Sequence, residues 1–167
     1  MKYSKSLTLL ILSLTLFSCQ QQTSKEDTSS STSNIASVDS QLTDIDYQIA
    51  KNYFVNNTVD SIPNPLIENQ ETFNSIFGMA TVMGEEGKPT SIDFTKQCVI
   101  AVMFPETDIV TNIIPQKLSK NKEGKLIFSY AIDQGEKTTS TMVASCILII
   151  NKADRGEVIL NEVVMER

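Results

Sequence analysis

Two carboxylates stand one residue apart in Pro105-Glu106-Thr107-Asp108, directly after the apolar run 99–104. Acids at the end of a buried strand are held in position yet left in water. Two chemistries are open to them: ligation of a hard cation together with loop carbonyls, or a hold on the basic group of a partner. A calcium loop carries more oxygen ligands at regular spacing than this stretch does. No metal is therefore expected, and a partner contact or a plain solvated turn remains. Asp133 and Glu136, flanking Gln134-Gly135, form a second acidic turn of the same kind.

Other reaction types lack their residues. The chain has no histidine, which removes Ser-His-Asp and Cys-His catalysis and every histidine-containing zinc set. Three cysteines are too few for a four-cysteine zinc site. Neither GxGxxG nor GxxxxGKS/T occurs, so those phosphate-cradling loops are absent. A glycosidase sets two carboxylates about 5–10 Å apart, and no spacing among the 20 acids marks such a pair. The expectation is a protein that is not an enzyme and needs no cofactor.

Cys19 carries a different chemistry. Lys2 and Lys5 precede the apolar run 7–17, and Ser18 closes it. The run is shorter than the roughly 20 residues that span a bilayer, and the charged lead, apolar run and small residue make a secretory signal. Leu16-Phe17-Ser18-Cys19 resembles a bacterial lipobox. That implies a signal peptide over 1–18, and a Cys19 that becomes the new N-terminus and carries fatty acyl chains such as palmitate. One chain binds a membrane marginally and several hold firmly, at about 0.8 kcal/mol per buried methylene. The expected place is the outer membrane, with the protein facing the periplasm or the cell surface. Lys25-Glu26-Asp27 resembles the lysine-plus-acids mark for surface export in Bacteroidetes, or is a solvated charge cluster. Asp60-Ser61-Ile62 resembles an O-glycosylation acceptor of the same group.

The net charge is −6. Loss of 1–18 takes away two lysines and no acid, leaving −8. No run of Lys or Arg offsets this balance, which disfavours nucleic acid and anionic lipid surfaces as partners. From 20 to about 43 the composition is Ser, Thr, Gln and Asp, with too little apolar surface to offset the entropy of ordering. Residues 19–44 are thus expected to be the lipidated cysteine and a flexible tether, and 45–167 a single domain. Cys98 and Cys146 lie inside apolar runs, where buried thiols are expected, although an oxidising envelope permits a disulfide.

Within 45–167 one helix is expected. Asn69 caps it, Glu71 suits its first turn and Gly78 ends it; Phe73, Ile76, Phe77 and Ala80 then share one face. The β-branched run 97–104 reads as a strand covered on both faces. A strand follows that is broken at Pro115, then a hairpin turn at Asn121-Lys122-Glu123-Gly124. The next strand turns Leu126, Phe128, Tyr130 and Ile132 to one face. After a polar loop, two closing strands are joined by 153–156. The class is α+β, a mostly antiparallel β-sheet packed against one main helix.

This order, with Asp93-Phe94-Thr95-Lys96-Gln97 leading into the 99–104 strand, resembles the C-terminal domain family of PrcB, a protease-complex-associated lipoprotein. The likeness runs from about 67 to 163. Members often continue with a Thr-Gly-Gly-Tyr-like loop, and the matching place here reads PETDIVTNI, which implies a differently shaped turn. The resemblance implies an accessory role: stabilising or restraining a secreted protease or another envelope protein. The loops 105–110 and 133–139 are the expected contact points, with Pro105, Glu106, Thr107 and Asp108 foremost. The alternative expectation is a small-molecule or glycan binder with its pocket between helix and sheet.

Overall fold

The computed structural model describes residues 42–80, 83–84 and 87–164. The signal peptide, Cys19 and the tether as far as 41 lie outside the described residues. In chain order the elements are β1 (Thr43–Asp44), β2 (Gln48–Ile49), β3 (Tyr53–Val55), β4 (Leu66–Ile67), helix α1 (Gln70–Ile76) and β5 (Phe77–Met79). Then come β6 (Gln97–Met103), β7 (Thr107–Lys120), β8 (Leu126–Met142), β9 (Ser145–Asn151), a 3-10 turn (Lys152–Asp154) and β10 (Val158–Glu162). Strands order as β2-β9-β6-β4 in one sheet, β1-β7-β8-β10 in a second, and β3-β5 in a small ribbon.

The apolar runs of β6 and β9 are continuous because both of their faces are covered. These two strands pair antiparallel from Gln97↔Asn151 to Met103↔Ser145. On one face Cys98, Ile100, Val102, Cys146, Leu148 and Ile150 pack with Leu118, Leu126 and Phe128 of the second sheet. On the other, Val99, Ala101, Ile147 and Ile149 meet Phe73, Ile76 and Phe77. The β2-β9-β6-β4 sheet is therefore a middle layer, with the second sheet on one side and the helix on the other. The fold is α+β, dominated by strand, with one α-helix among the described residues.

β6 to β9 form one long two-stranded ribbon folded over on itself. The β6–β9 ladder continues through Phe104 N–H to Ala144 O at 2.8 Å, turns a corner, and runs on as the β7–β8 ladder from Thr107↔Met142 to Lys120↔Leu126. The far end closes at the expected 121–124 turn. There Asn121 Oδ1 accepts from the Glu123 and Lys125 N–H groups at 3.0 and 2.9 Å, and Gly124 takes φ +82, which glycine adopts without Cβ strain. Pro115 marks a bulge, as expected: Pro115 pairs with Tyr130 and Lys117 with Ser129, leaving Gln116 extra.

Several expectations are corrected. β1 pairs with β7 at Thr43↔Lys120, so the folded part takes in the last residues assigned to the tether. The helix is capped by Asn69, whose Oδ1 accepts from Thr72 N–H at 2.8 Å, but it ends at Ile76. Phe77 is already extended, and Ala80 continues the β3–β5 ladder by donating to Asn52 O at 2.9 Å. Gly78 does not terminate a helix: it pairs with Phe54, and a Cβ placed there collides with the tip of the Phe54 ring. The two closing strands stand as expected, and β10 leaves β9 to pair parallel with β8, Val158↔Leu126 to Glu162↔Tyr130. No helix among the described residues is long and apolar enough to cross a membrane.

Candidate functional site

The two acidic stretches at 105–110 and 133–139, expected as separate loops, are one corner of the folded ribbon. Of the named contact residues only Pro105 and Glu106 lie between strands, while Thr107 and Asp108 open β7. The whole of 133–139 belongs to β8. Thr107 pairs with Met142 and Ile109 with Lys137, so residues 138–141 bulge out of the ladder opposite Asp108. A bulge re-aims side chains and blunts the open edge of a strand. That is how a polar stretch that reads as a loop is held as strand.

Side chains pin the corner. Asp108 Oδ2 lies 2.7 Å from Lys137 Nζ, and Glu106 Oε1 accepts a short hydrogen bond from Thr141 Oγ1. Thr138 Oγ1 donates toward Asp108 O at 3.1 Å and Ser140 O at 2.6 Å. Glu106, Glu136, Lys137, Thr139, Ser140 and Thr141 are all exposed. Asp133 sits opposite Asn112 in the ladder, away from this cluster. The two carboxylates of Glu106 and Asp108 thus bind different groups of their own chain. Among the described residues no three acid, cysteine or histidine side chains are placed to hold one metal ion.

Cys98 and Cys146 are buried and free. Cys98 pairs with Ile150 and Cys146 with Val102, four residues further along β6 or about 13 Å at about 3.3 Å per residue. A disulfide needs Cα atoms within about 7 Å, so these two cannot bridge. Burial, and then the charge of Glu68, pushes the Cys98 thiol up to about 11; burial pushes Cys146 up to about 11 as well. Neither is a thiolate at neutral pH, and neither is reactive.

The centre of the layer between helix and sheet, where the alternative reading places its pocket, is filled by aromatic rings. Phe73 lies 5.1 Å from Tyr53, 5.1 Å from Phe77 and 5.6 Å from Phe94, centroid to centroid. Tyr53 hydroxyl donates to Thr90 O at 2.7 Å, and burial raises its pKa. A cleft of about 290 Å³ remains at the edge of this layer between β4 and α1, lined by Leu66, Ile67, Asn69, Thr72 and Ile76 among others. A second cleft lies elsewhere, at the open end of the middle sheet. It holds about 430 Å³ and is lined by Asp46, Tyr47, Gln48, Asp93, Lys96, Gln97 and the end of β9. Sequence reading did not bring these residues together, because Gln97 and Asn151 are neighbours only through strand register.

The Asp93–Gln97 segment, which carries the family likeness, is a closed turn. Asp93 Oδ1 accepts from Thr95 N–H at 3.0 Å and Thr95 Oγ1 at 2.6 Å, and Gln97 Oε1 accepts from Asp93 N–H at 2.8 Å. The Thr95 hydroxyl and N–H bonds, with a smaller contribution from Lys96, hold the Asp93 carboxyl below its usual pKa. Phe94 reaches from this turn into the helix layer. These residues launch β6 and anchor it, which is a structural role. Compared with family models, curated protein sequences and solved structures, the chain matches none of them.

Proposed function

We propose that this chain is a lipid-anchored accessory protein of the bacterial envelope, which binds a protein partner without catalysing a reaction on it. Acyl chains at Cys19 hold it on the outer membrane, and the corner of the folded ribbon is its contact surface. The observation that carries the reading is the convergence of Pro105-Glu106-Thr107-Asp108 with 136–142 into one exposed, bulged patch. That patch lies at the ends of β7 and β8, which continue the ladder of the core strands β6 and β9, so it is presented rigidly while remaining in water. Rigid presentation lowers the entropy lost on association. The likeness to the PrcB C-terminal domain family supports a secreted protease or another envelope protein as the partner.

Photo-reactive residues placed at Glu136 and Thr139, with Glu71 on the outer face of α1 as control, test this in intact cells. Capture of one envelope protein from both corner positions and not from Glu71, lost in the Glu106→Ala/Asp108→Ala variant, supports the reading. Equal capture from all three positions, or capture indifferent to that variant, overturns it. The anchor is tested separately with Cys19→Ser, which should take up no labelled fatty acid; continued labelling would remove the anchor from the proposal.

A further inference from the structure

Between 45 and 47 the chain crosses from one sheet to the other, because β1 pairs with β7 and β2 with β9. Ile45 and Tyr47 turn into the core between the sheets on the way. β2 then follows β9 at Gln48↔Ile149 and Ile49↔Leu148, continued by Ala50 N–H donating to Ile147 O at 2.9 Å, while in the other direction β9 runs on to Asn151. The two chains part there, and the cleft of about 430 Å³ opens between 46–48 on one side and the 93–97 turn on the other. Its volume falls within the range of about 300–1,000 Å³ common to small-molecule sites.

The lining has fixed polarity. Gln97 Oε1 is held by the N–H of Asp93 at 2.8 Å, and Asn151 Oδ1 by the N–H of Ala153 at 2.9 Å. A backbone N–H can only donate, so each amide oxygen must face it and each NH₂ group must point away. Those two NH₂ groups stand on register partners and have no acceptor among the described residues. The exposed Asp46 carboxylate and Gln48 amide share the cleft, also without a hydrogen-bond partner among the described residues. Lys96 Nζ already lies 3.9 Å from Asp93 Oδ2, so the unmatched charge in the cleft is the negative one of Asp46. Half-buried Tyr47 adds an apolar surface, while the Ile149 and Ile150 side chains are buried in the core on opposite faces of β9.

The geometry points to a second binding site here, for a neutral polyhydroxylated ligand: a short saccharide. A hydroxyl both donates and accepts, so neighbouring hydroxyls answer the Asp46 carboxylate and the fixed amide donors of Gln97 and Asn151 together. An anion meets Asp46 and is disfavoured. A purely apolar ligand leaves the four polar groups desolvated and unanswered. The C–H face of a sugar ring suits the amphipathic surface of Tyr47.

The test is an amide-shift titration by NMR on the intact chain, in micelles whose headgroup carries no sugar. The probes are maltose, cellobiose, lactose and chitobiose, with galacturonate as the anionic counterpart. At least one neutral disaccharide should shift the amides of Gln48, Lys96, Gln97 and Asn151 saturably at or below about 10 mM. Asp46→Ala should weaken that binding on the order of tenfold, without loss of the folded spectrum, since Asp46 is exposed. The Glu106→Ala/Asp108→Ala variant should bind the sugar as the parent does, which keeps this site separate from the partner surface. The inference is overturned by no saturable shift with any of the four, by unchanged affinity in Asp46→Ala, or by tighter binding of galacturonate.

Discussion

Asp108 and Lys137 form a 2.7 Å ion pair across the bulge of the β7–β8 ladder, with Lys137 donating from the strand that a sequence reading assigns to a loop. The pair joins the two acidic stretches, and it sets the geometry of the surface proposed to meet a partner. The Lys137 side chain is 75% and the Asp108 side chain 40% exposed, so water and salt screen most of its attraction.

A double-mutant cycle on Asp108→Ala and Lys137→Ala should therefore give a coupling below about 1 kcal/mol in stability, shrinking further in high salt. The charge-swapped variant Asp108→Lys/Lys137→Asp should restore that coupling and still fail to capture the partner. Full capture by the swapped variant would mean that the pair only shapes the ribbon and that its charges meet nothing outside the chain.

Gly78 is set by a neighbour across the ribbon. The Phe54 ring covers it so closely that an added methyl collides with the ring. Phe54 is half exposed and its ring can swing outward, so Gly78→Ala should cost about 0.5–1.5 kcal/mol, the range of a side chain pushed off its rotamer. In a Phe54→Ala background the same change should be nearly neutral, because the obstacle is gone and alanine suits a strand better than glycine. Urea midpoints of the four proteins check this; equal costs in both backgrounds would show that the ring is not the obstacle.

Phe73 is the hub of the layer outside the middle sheet, touching Tyr53, Phe77 and Phe94 at 1% exposure. Phe73→Ala should cost about 3–5 kcal/mol, a large part of the stability of a domain of this kind. Glu71→Ala, exposed on the same helix, should stay within about 0.5 kcal/mol. Similar small shifts of the thermal midpoint in both would show that the helix layer is not part of the cooperative core.

The buried thiols give the protein an alkaline limit. Their pKa in the folded state is about 11, above the ordinary 9.0, so the unfolded chain loses these protons first. The stability this represents is complete below about pH 9 and is lost as pH rises toward 11. Thermal midpoints of Cys98→Ala/Cys146→Ala should fall less steeply between pH 9 and 11 than those of the parent. Comparing slopes removes the cavity cost of the substitutions, and identical slopes would show that the thiols do not drive the decline.

Residues whose signal is local were legible in the chain itself. Asn69 announces a helix start because its side chain bonds to an N–H three residues on, and 121–124 announces a turn because asparagine and glycine satisfy it without help from elsewhere. The unbroken apolar character of β6 and β9 states that both faces are covered, and with it the α+β class. What lies beyond reach is whatever depends on register or on a distant side chain. Gly78 has the spacing of a helix terminator, yet the Phe54 ring decides its role. The stretch 133–139 has the composition of a loop, and pairing with β7 makes it strand. Cys98 and Cys146 read as buried thiols from their apolar runs, but a bridge is ruled out only by register, which sets them about 13 Å apart along a strand. The parallel placement of β10 and the cleft between Asp46 and Asn151 arise the same way. Local propensity spans only a few residues, whereas strand order is chosen by which apolar faces close over one another, and that choice is made only when the whole chain packs.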